Sequence, residues 1–167
     1  MGRPPGGVNE VIEIGAVKVN RYGEIVSKFN KFVKPHVNPY LSHFCKKLTS
    51  ISQENVDRAD KFDKVASQFQ EWIDIWDEEY LLCAWGDSDI KLLKSDCKIH
   101  KMDDEWLDHN INIKQQYHSL INAVKKTGLK SVIKKEGFEF TGTHHRAIAD
   151  AENTAKIFTK YIDMWRY

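Results

Sequence analysis

Apolar and polar residues in this chain switch between a period of two and a period near 3.6, and the switches mark its elements. Residues 10–20 are rich in Val and Ile, and residues 24–34 set Ile25, Phe29 and Val33 among Ser, Lys and Asn. With Tyr22-Gly23 between them, the two segments predict an antiparallel hairpin that Pro35 and Pro39 bring to an end. Leu41, Phe44, Cys45 and Leu48 recur at helical spacing, so a short helix is expected over 41–48, broken at Thr49-Ser50-Ile51-Ser52. Ser52 suits the N-cap of a helical turn over 53–59. Phe62, Val65, Phe69, Trp72, Ile73 and Trp76 share one face and predict a helix over 62–76. Residues 80–85 are a continuous apolar run, short and directly after a helix, which predicts a buried parallel strand. Asp87 or Ser88 is placed to cap a following helix that reaches about Asp96. A short strand is expected over 110–114 and helices over 115–126 and 130–136, with reversals at Gly128 and Gly137. The last helix is expected over about 145–164. This order predicts an α/β chain with a mixed sheet.

Length and composition refine that picture. A chain of 167 residues fits one domain with one sizeable core. Gly2, Pro4, Pro5, Gly6 and Gly7 make residues 1–9 a flexible loop ahead of a domain over 10–167. A formal net charge of +1 does not announce a polyanion binder, so such a site has to come from local clustering. Lys125, Lys126, Lys130, Lys134 and Lys135 form one cluster, either a phosphate-contacting patch or a solvated helix face. Trp85, Trp106 and Phe140 either stack bases or belong to the core. The three cysteines form no CxxC pair, and Cys83, inside the apolar run, is expected to be a buried free thiol. That usage suits a reducing compartment. No apolar run approaches the roughly 18 residues a membrane span needs, and no signal-peptide pattern opens the chain. The expected location is cytoplasmic, without a membrane partner.

Candidate chemistry gathers where strands end and helices begin. Asp89 follows the apolar run, in Trp85-Gly86-Asp87-Ser88-Asp89, and ligands collect at the carboxyl ends of such strands. His145 precedes Asp150 by five residues in Thr143-His144-His145-Arg146-Ala147-Ile148-Ala149-Asp150. Five helical residues turn about 500°, leaving these side chains roughly 140° apart unless His145 sits at a frayed helix start. Hard divalent ions prefer carboxylates, and two such ions can stabilise the attacking and leaving oxygens of a phosphodiester. A histidine beside them suits a general base. Each residue also has a plainer reading. Asp87 and Asp89 are candidates for simple caps, the His-His pair for a solvated loop, and Asp150 for a solvated helix carboxylate.

Taken together, the residues resemble the DnaQ-like, or DEDDh, 3′–5′ exonucleases. Glu10-Val11-Ile12-Glu13-Ile14-Gly15-Ala16-Val17 is similar to that family's second strand, Asp89 with Leu92 and Leu93 to its second motif, and His145 to Ala155 to its third. Phe32-Val33-Lys34-Pro35, Pro39-Tyr40-Leu41-Ser42, Phe44-Cys45, Leu48-Thr49-Ser50-Ile51-Ser52-Gln53 and Val56-Asp57 resemble the Eri-like branch. That branch holds histone-mRNA and small-RNA 3′ exonucleases and bacterial sporulation-inhibitor relatives. The resemblance implies a ribonuclease H-like fold, two Mg²⁺ or Mn²⁺ ions and a nucleic-acid 3′ end, RNA or single-stranded DNA, as partner. It assigns Asp150 and Asp89 to metal, with Asp87 as the alternative second-motif acid, and His145 to the general base. It places Thr49 and Ile51 near the terminal nucleotide, where the plainer reading is a helix-breaking turn with a core isoleucine. Ala149 stands where many relatives carry another acid.

One departure carries consequences. The family's first motif, an Asp-x-Glu on the central strand, finds no match in residues 1–167, and Glu10 and Glu13 fall on the next strand instead. The central strand is therefore expected to be missing, which should abolish tight metal binding and most turnover and leave strand edges unpaired at roughly 1–3 kcal/mol per buried group. Two functions follow: a metal-dependent 3′–5′ exonuclease domain, or a catalytically inactive exonuclease-derived binding module. A domain-swapped dimer is a third way to fill the central position.

Overall fold

The hairpin forms where the alternation predicted it. In the computed structural model, which describes residues 7–167, β1 (Glu13–Val19) and β2 (Ile25–Phe32) pair antiparallel, from Glu13 opposite Phe32 to Lys18 opposite Ser27, with an irregularity before Val19. Asn20 shapes the turn: its side-chain oxygen accepts the N–H groups of Tyr22 at 2.9 Å and Glu24 at 3.0 Å. Gly23 supplies the positive φ of 82°. Of the loop expected over 1–9, the first six residues lie outside the described residues.

Three helices follow. Ser42 caps α1 (His43–Thr49) by accepting from the Cys45 N–H. Ser52 and Asn55 form a reciprocal capping box on α2 (Gln53–Asp57). The α3 helix (Phe62–Ile73) buries Phe62, Val65, Ala66, Phe69 and Ile73 against the hairpin, where Phe29 meets Phe69 at 5.1 Å and Trp72 at 5.7 Å. It stops short of Trp76 because Asp74 takes a left-handed φ of 67°, and Trp76 is left exposed.

The second half starts at β3 (Leu82–Ala84), crosses through α4 (Ser88–Ile99) and a short 3₁₀ turn (Glu105–Leu107), and returns as β4 (Asn110–Asn112), parallel to β3. Then come α5 (Ile113–Leu120), α6 (Leu129–Lys135), α7 (Ala147–Lys160) and a closing 3₁₀ turn (Ile162–Met164). The left-handed Asn122, at φ 50°, ends the helix expected to reach 126. At the other end of the chain, His145 at φ 69° delays the last helix to Ala147.

Among the described residues the sheet is therefore in two pieces, β1–β2 and β3–β4, with no strand joining β1 to β3. This is the α/β arrangement of mixed pairing with an open central position. One apolar cluster lies under the hairpin, with Val11, Ile14, Phe29, Val33 and Phe62, and extends to Trp106 and Leu107. The other joins Ile111, Ile113 and Tyr117 to α6 and Ile157 of α7. The expectation of a buried Cys83 is not met: the residue is exposed. A parallel strand is covered on both faces only inside a wider sheet, and among the described residues β3 has a single neighbour. Among the described residues no helix is long and apolar enough to cross a membrane.

Candidate active site

The start of α7 is built by close contact with β1. A Cβ on Gly15 would lie 2.2 Å from the Ile148 nitrogen and 2.5 Å from the Ala147 carbonyl carbon, so only glycine lets the two backbones meet here. Beside it the Glu13 carboxylate, with a side chain 4% exposed, accepts from Arg146 Nε at 3.1 Å and Nη2 at 3.0 Å. It also accepts the Ala147 N–H at 3.3 Å, which places its negative charge at a helix N-terminus. The preceding loop is tied on its other side. Buried Asn153 accepts the Thr141 N–H at 3.2 Å and donates to the Thr141 carbonyl at 2.8 Å. Gly142, at φ 78°, sits over the buried Ala149, where an added Cβ would come within 2.8 Å of the alanine methyl.

Between these anchors the loop presents two imidazoles and a carboxylate. The His144 and His145 rings stack with centroids 3.9 Å apart and planes at 23°. The His144 ring also meets the Phe140 ring edge-on at 5.1 Å. The His145 N–H donates to Asp150 Oδ1 at 3.4 Å. One donor atom from each of His144, His145 and Asp150 lies within 4.8 Å of the others. Burial pushes the His144 pKa down, with His145 adding to the effect and Asp150 opposing it. Burial pushes Asp150 up, partly offset by the two histidines.

Asp89 is an exposed residue, yet the protein around its carboxylate raises its pKa by desolvation, and the Asp150 charge raises it further. The charge on α7 is thus felt at the first turn of α4. Asp87 does not share this environment. It pairs with Lys91 on its own helix, a bond that lowers its pKa, and its side chain makes no capping hydrogen bond to α4.

His145 and Asp150 are therefore gathered, Asp89 is linked to them only through the Asp150 charge, and Thr49 and Ile51 are engaged in local structure. The Thr49 hydroxyl donates to the Cys45 carbonyl at 2.8 Å and accepts the Ile51 N–H at 3.2 Å, while Ile51 is 2% exposed. Trp106 is core, Trp85 is half-buried against Tyr117, and the five clustered lysines are exposed. Sequence reasoning passed over His144 as a site residue, and it also missed the Glu13–Arg146 pair. The partners of that pair stand 133 positions apart, and no local pattern links them.

The two acids, Asp89 and Asp150, offer the oxygen donors that a hard divalent ion prefers. The Asp150 charge disfavours the ionised form of Asp89, and a cation bound between two carboxylates would relieve such repulsion. The remaining acids of this strand region are already engaged: Glu13 is held by Arg146, and Glu10 accepts the N–H groups of His36 at 2.6 Å, Val37 at 2.9 Å and Asn38 at 2.7 Å. Neither stands in for the first-motif carboxylates.

Residues 2–158 match the family model described as an exonuclease. The chain belongs to the exonuclease family, in its DEDDh, Eri-like branch. Human 3′-5′ exoribonuclease 1 is 31% identical over 173 residues, covering 96% of this chain and 48% of the human protein. The probable 3′-5′ exonuclease KapD of Bacillus subtilis is 30% identical over 149 residues, covering 89% of this chain and 71% of KapD. The chain thus spans about half the length of the mammalian exoribonucleases it matches. Among solved structures, the nuclease domain of 3′hExo, a DEDDh family member bound to rAMP, superposes with a TM-score of 0.88 at 31% identity, over 96% of this chain and 84% of that one. A 3′-exonuclease solved for its 3′-end recognition of the histone mRNA stem-loop gives 0.85 at 29% identity, over 96% and 75%. Exonucleases of the DEDDh type depend on divalent metal.

Proposed function

We propose that this chain is a 3′–5′ exonuclease domain that releases nucleotides from the 3′ ends of RNA or single-stranded DNA. One observation carries the reading: Asp150 stands with His144 and His145 at the start of α7, one donor atom of each within 4.8 Å of the others, and its charge raises the pKa of Asp89. In this reading Asp150 and Asp89 hold Mg²⁺ or Mn²⁺, which polarises the phosphodiester and the attacking water when bound. His145, in reach of solvent, takes the proton of that water. Asp150 accepts from the His145 backbone and so keeps base and carboxylate in register. Thr49, at the end of α1, is the candidate nucleotide contact of its segment, and Ile51 shapes the wall behind it from within the core. The exposed lysines from Lys125 to Lys135 are the candidate phosphate contacts. Three free cysteines suit a reducing compartment such as the cytosol.

Competence then needs two further carboxylates, and the place for them is an extended segment paired between β1 and β3. The test joins a strand bearing Asp-x-Glu ahead of residue 1 and compares it with the 167-residue chain on 5′-labelled RNA and DNA. The expected result is Mg²⁺- or Mn²⁺-dependent shortening from the 3′ end by the extended protein, lost in His145→Ala and Asp150→Asn. A well-folded extended protein that releases no nucleotide overturns the reading. Solution mass read alongside separates a strand supplied in cis from one donated by a second copy.

A further inference from the structure

The nuclease reading uses one histidine of the His144–His145 pair and gives the other nothing to do. That other imidazole, His144, stacks on His145 and meets Phe140 edge-on. At the left-handed His145, φ 69°, the backbone turns so that neighbouring side chains, which an extended chain would point apart, lie on the same side and stack. Arg146, the next residue, is locked to Glu13, and its N–H donates to the Thr143 carbonyl at 3.1 Å. Asp150 is drawn in by the His145 N–H. The loop therefore presents two imidazole nitrogens and one carboxylate oxygen, all within 4.8 Å of one another, on a backbone fixed from both ends.

From this geometry we propose a second, mononuclear metal site at His144, His145 and Asp150 that takes a borderline transition ion, Zn²⁺ above all, in preference to Mg²⁺. The donors decide the class. Imidazole suits Zn²⁺, Ni²⁺ and Cu²⁺, whereas Mg²⁺ demands oxygen and sheds water reluctantly. A tetrahedral Zn²⁺ lies about 2.0–2.2 Å from its ligands and wants them roughly 3.3 Å apart. The 4.8 Å envelope has to contract by about 1.5 Å, which the exposed His145 side chain supplies by rotating out of the stack. Three protein ligands leave a fourth position for water.

The site shares Asp150 and His145 with the proposed catalytic set, so the two uses exclude each other. A Zn²⁺ ion on the His145 nitrogen removes the lone pair a general base needs, and it occupies the Asp150 oxygen a hard ion needs. Zinc is then an inhibitor acting through His144, and this consequence alone rests on the nuclease reading.

The test titrates the 167-residue protein with Zn²⁺ against a chromophoric chelator and counts equivalents. One equivalent is expected, with affinity falling at least about tenfold in His144→Ala and in His145→Ala and unchanged in the control His109→Ala. His144→Phe keeps a ring against Phe140 without the donor, so it gives the same answer should the alanine variant unfold. Zinc affinity that survives loss of His144 in a folded variant overturns the site, and so does a Zn²⁺ affinity no greater than that for Mg²⁺. Because binding is read without substrate, failure here leaves the nuclease proposal standing. An inactive extended enzyme, conversely, leaves the titration standing.

Discussion

On one side of the open sheet, β1 meets β2 over seven registered residue pairs and meets α7 through Gly15 and the Glu13–Arg146 pair. On the other side, β3 meets β4 over three pairs, its middle residue Cys83 is exposed, and the buried Nε1 of the adjoining Trp85 has no acceptor. The two sides carry the two halves of one candidate site. The difference teaches where its precision comes from. The histidine loop and Asp150 are positioned by contacts inside the described chain, so they stand ready without help. Asp89 hangs from a strand with one neighbour, and its placement depends on what pairs with the other edge of β3.

The sharpest way to break the anchored side is Gly15→Ala. The new methyl would sit against the main chain of Ala147 and Ile148, where no side chain can yield, so β1 and α7 have to separate. Overpacking costs about 1–3 kcal/mol, and a clash with main chain falls at the upper end of that range. Urea unfolding should show that loss, and zinc binding by the His144 loop should weaken with it. Next is Glu13→Gln, which leaves Arg146 beside a neutral partner in a site where Glu13 is 4% exposed. Removing one partner of a buried pair costs about 3–5 kcal/mol, and partial exposure of Arg146 brings the expected loss to about 2 kcal/mol. If either variant unfolds at the wild-type urea midpoint, the anchored side is not what holds α7 in place.

These contrasts explain how far the sequence could be read. The elements with long periodic patterns, β1, β2, α3 and α7, were legible because burial of one face writes itself into the spacing of Ile14, Phe29, Phe69 and Ile157. Their ends were less legible. Asp74, Asn122 and His145 all stop or delay helices by taking positive φ, a choice that tertiary packing makes and that no residue pattern announces. For the candidate site, spacing and family resemblance singled out Asp89, His145 and Asp150, of which His145 and Asp150 come together in the fold. His144 became visible only when the left-handed turn set it against His145. Cys83 was misjudged because an apolar run reads as buried whether or not its neighbours are present.

One side chain bridges the two sides. Asp96 of α4, 1% exposed, accepts the Val11 N–H at 2.6 Å, just ahead of β1. Burial raises its pKa to about 6, and Glu10 adds to the rise. The folded protein thus holds a proton that the unfolded chain gives up near pH 4. Folded Asp96 binds more protons than unfolded Asp96 between these values, so wild-type stability falls as pH rises from about 4 through about 6. Asp96→Asn keeps an acceptor for Val11 and removes the buried charge. Its advantage over wild type should grow across that window to about 1–2 kcal/mol at pH 7. Urea midpoints taken at pH 5 and pH 7.5 check this, and parallel pH profiles for the two proteins would count against a buried ionising Asp96.

The smallest effect belongs to the open side, and it bears most directly on the gap. Cys83→Ser places a polar atom in the middle of β3. If the residue is exposed, as the broken sheet leaves it, the change stays within about 0.5 kcal/mol, the range of ordinary surface substitutions. If a segment or a second copy covers that face in solution, the same hydroxyl loses water without gaining a partner, and the cost rises to about 1–3 kcal/mol. A near-silent Cys83→Ser beside a damaging Gly15→Ala would establish that one side of the sheet is finished and the other waits for a strand. Comparable losses in the two variants would mean that β3 is already covered.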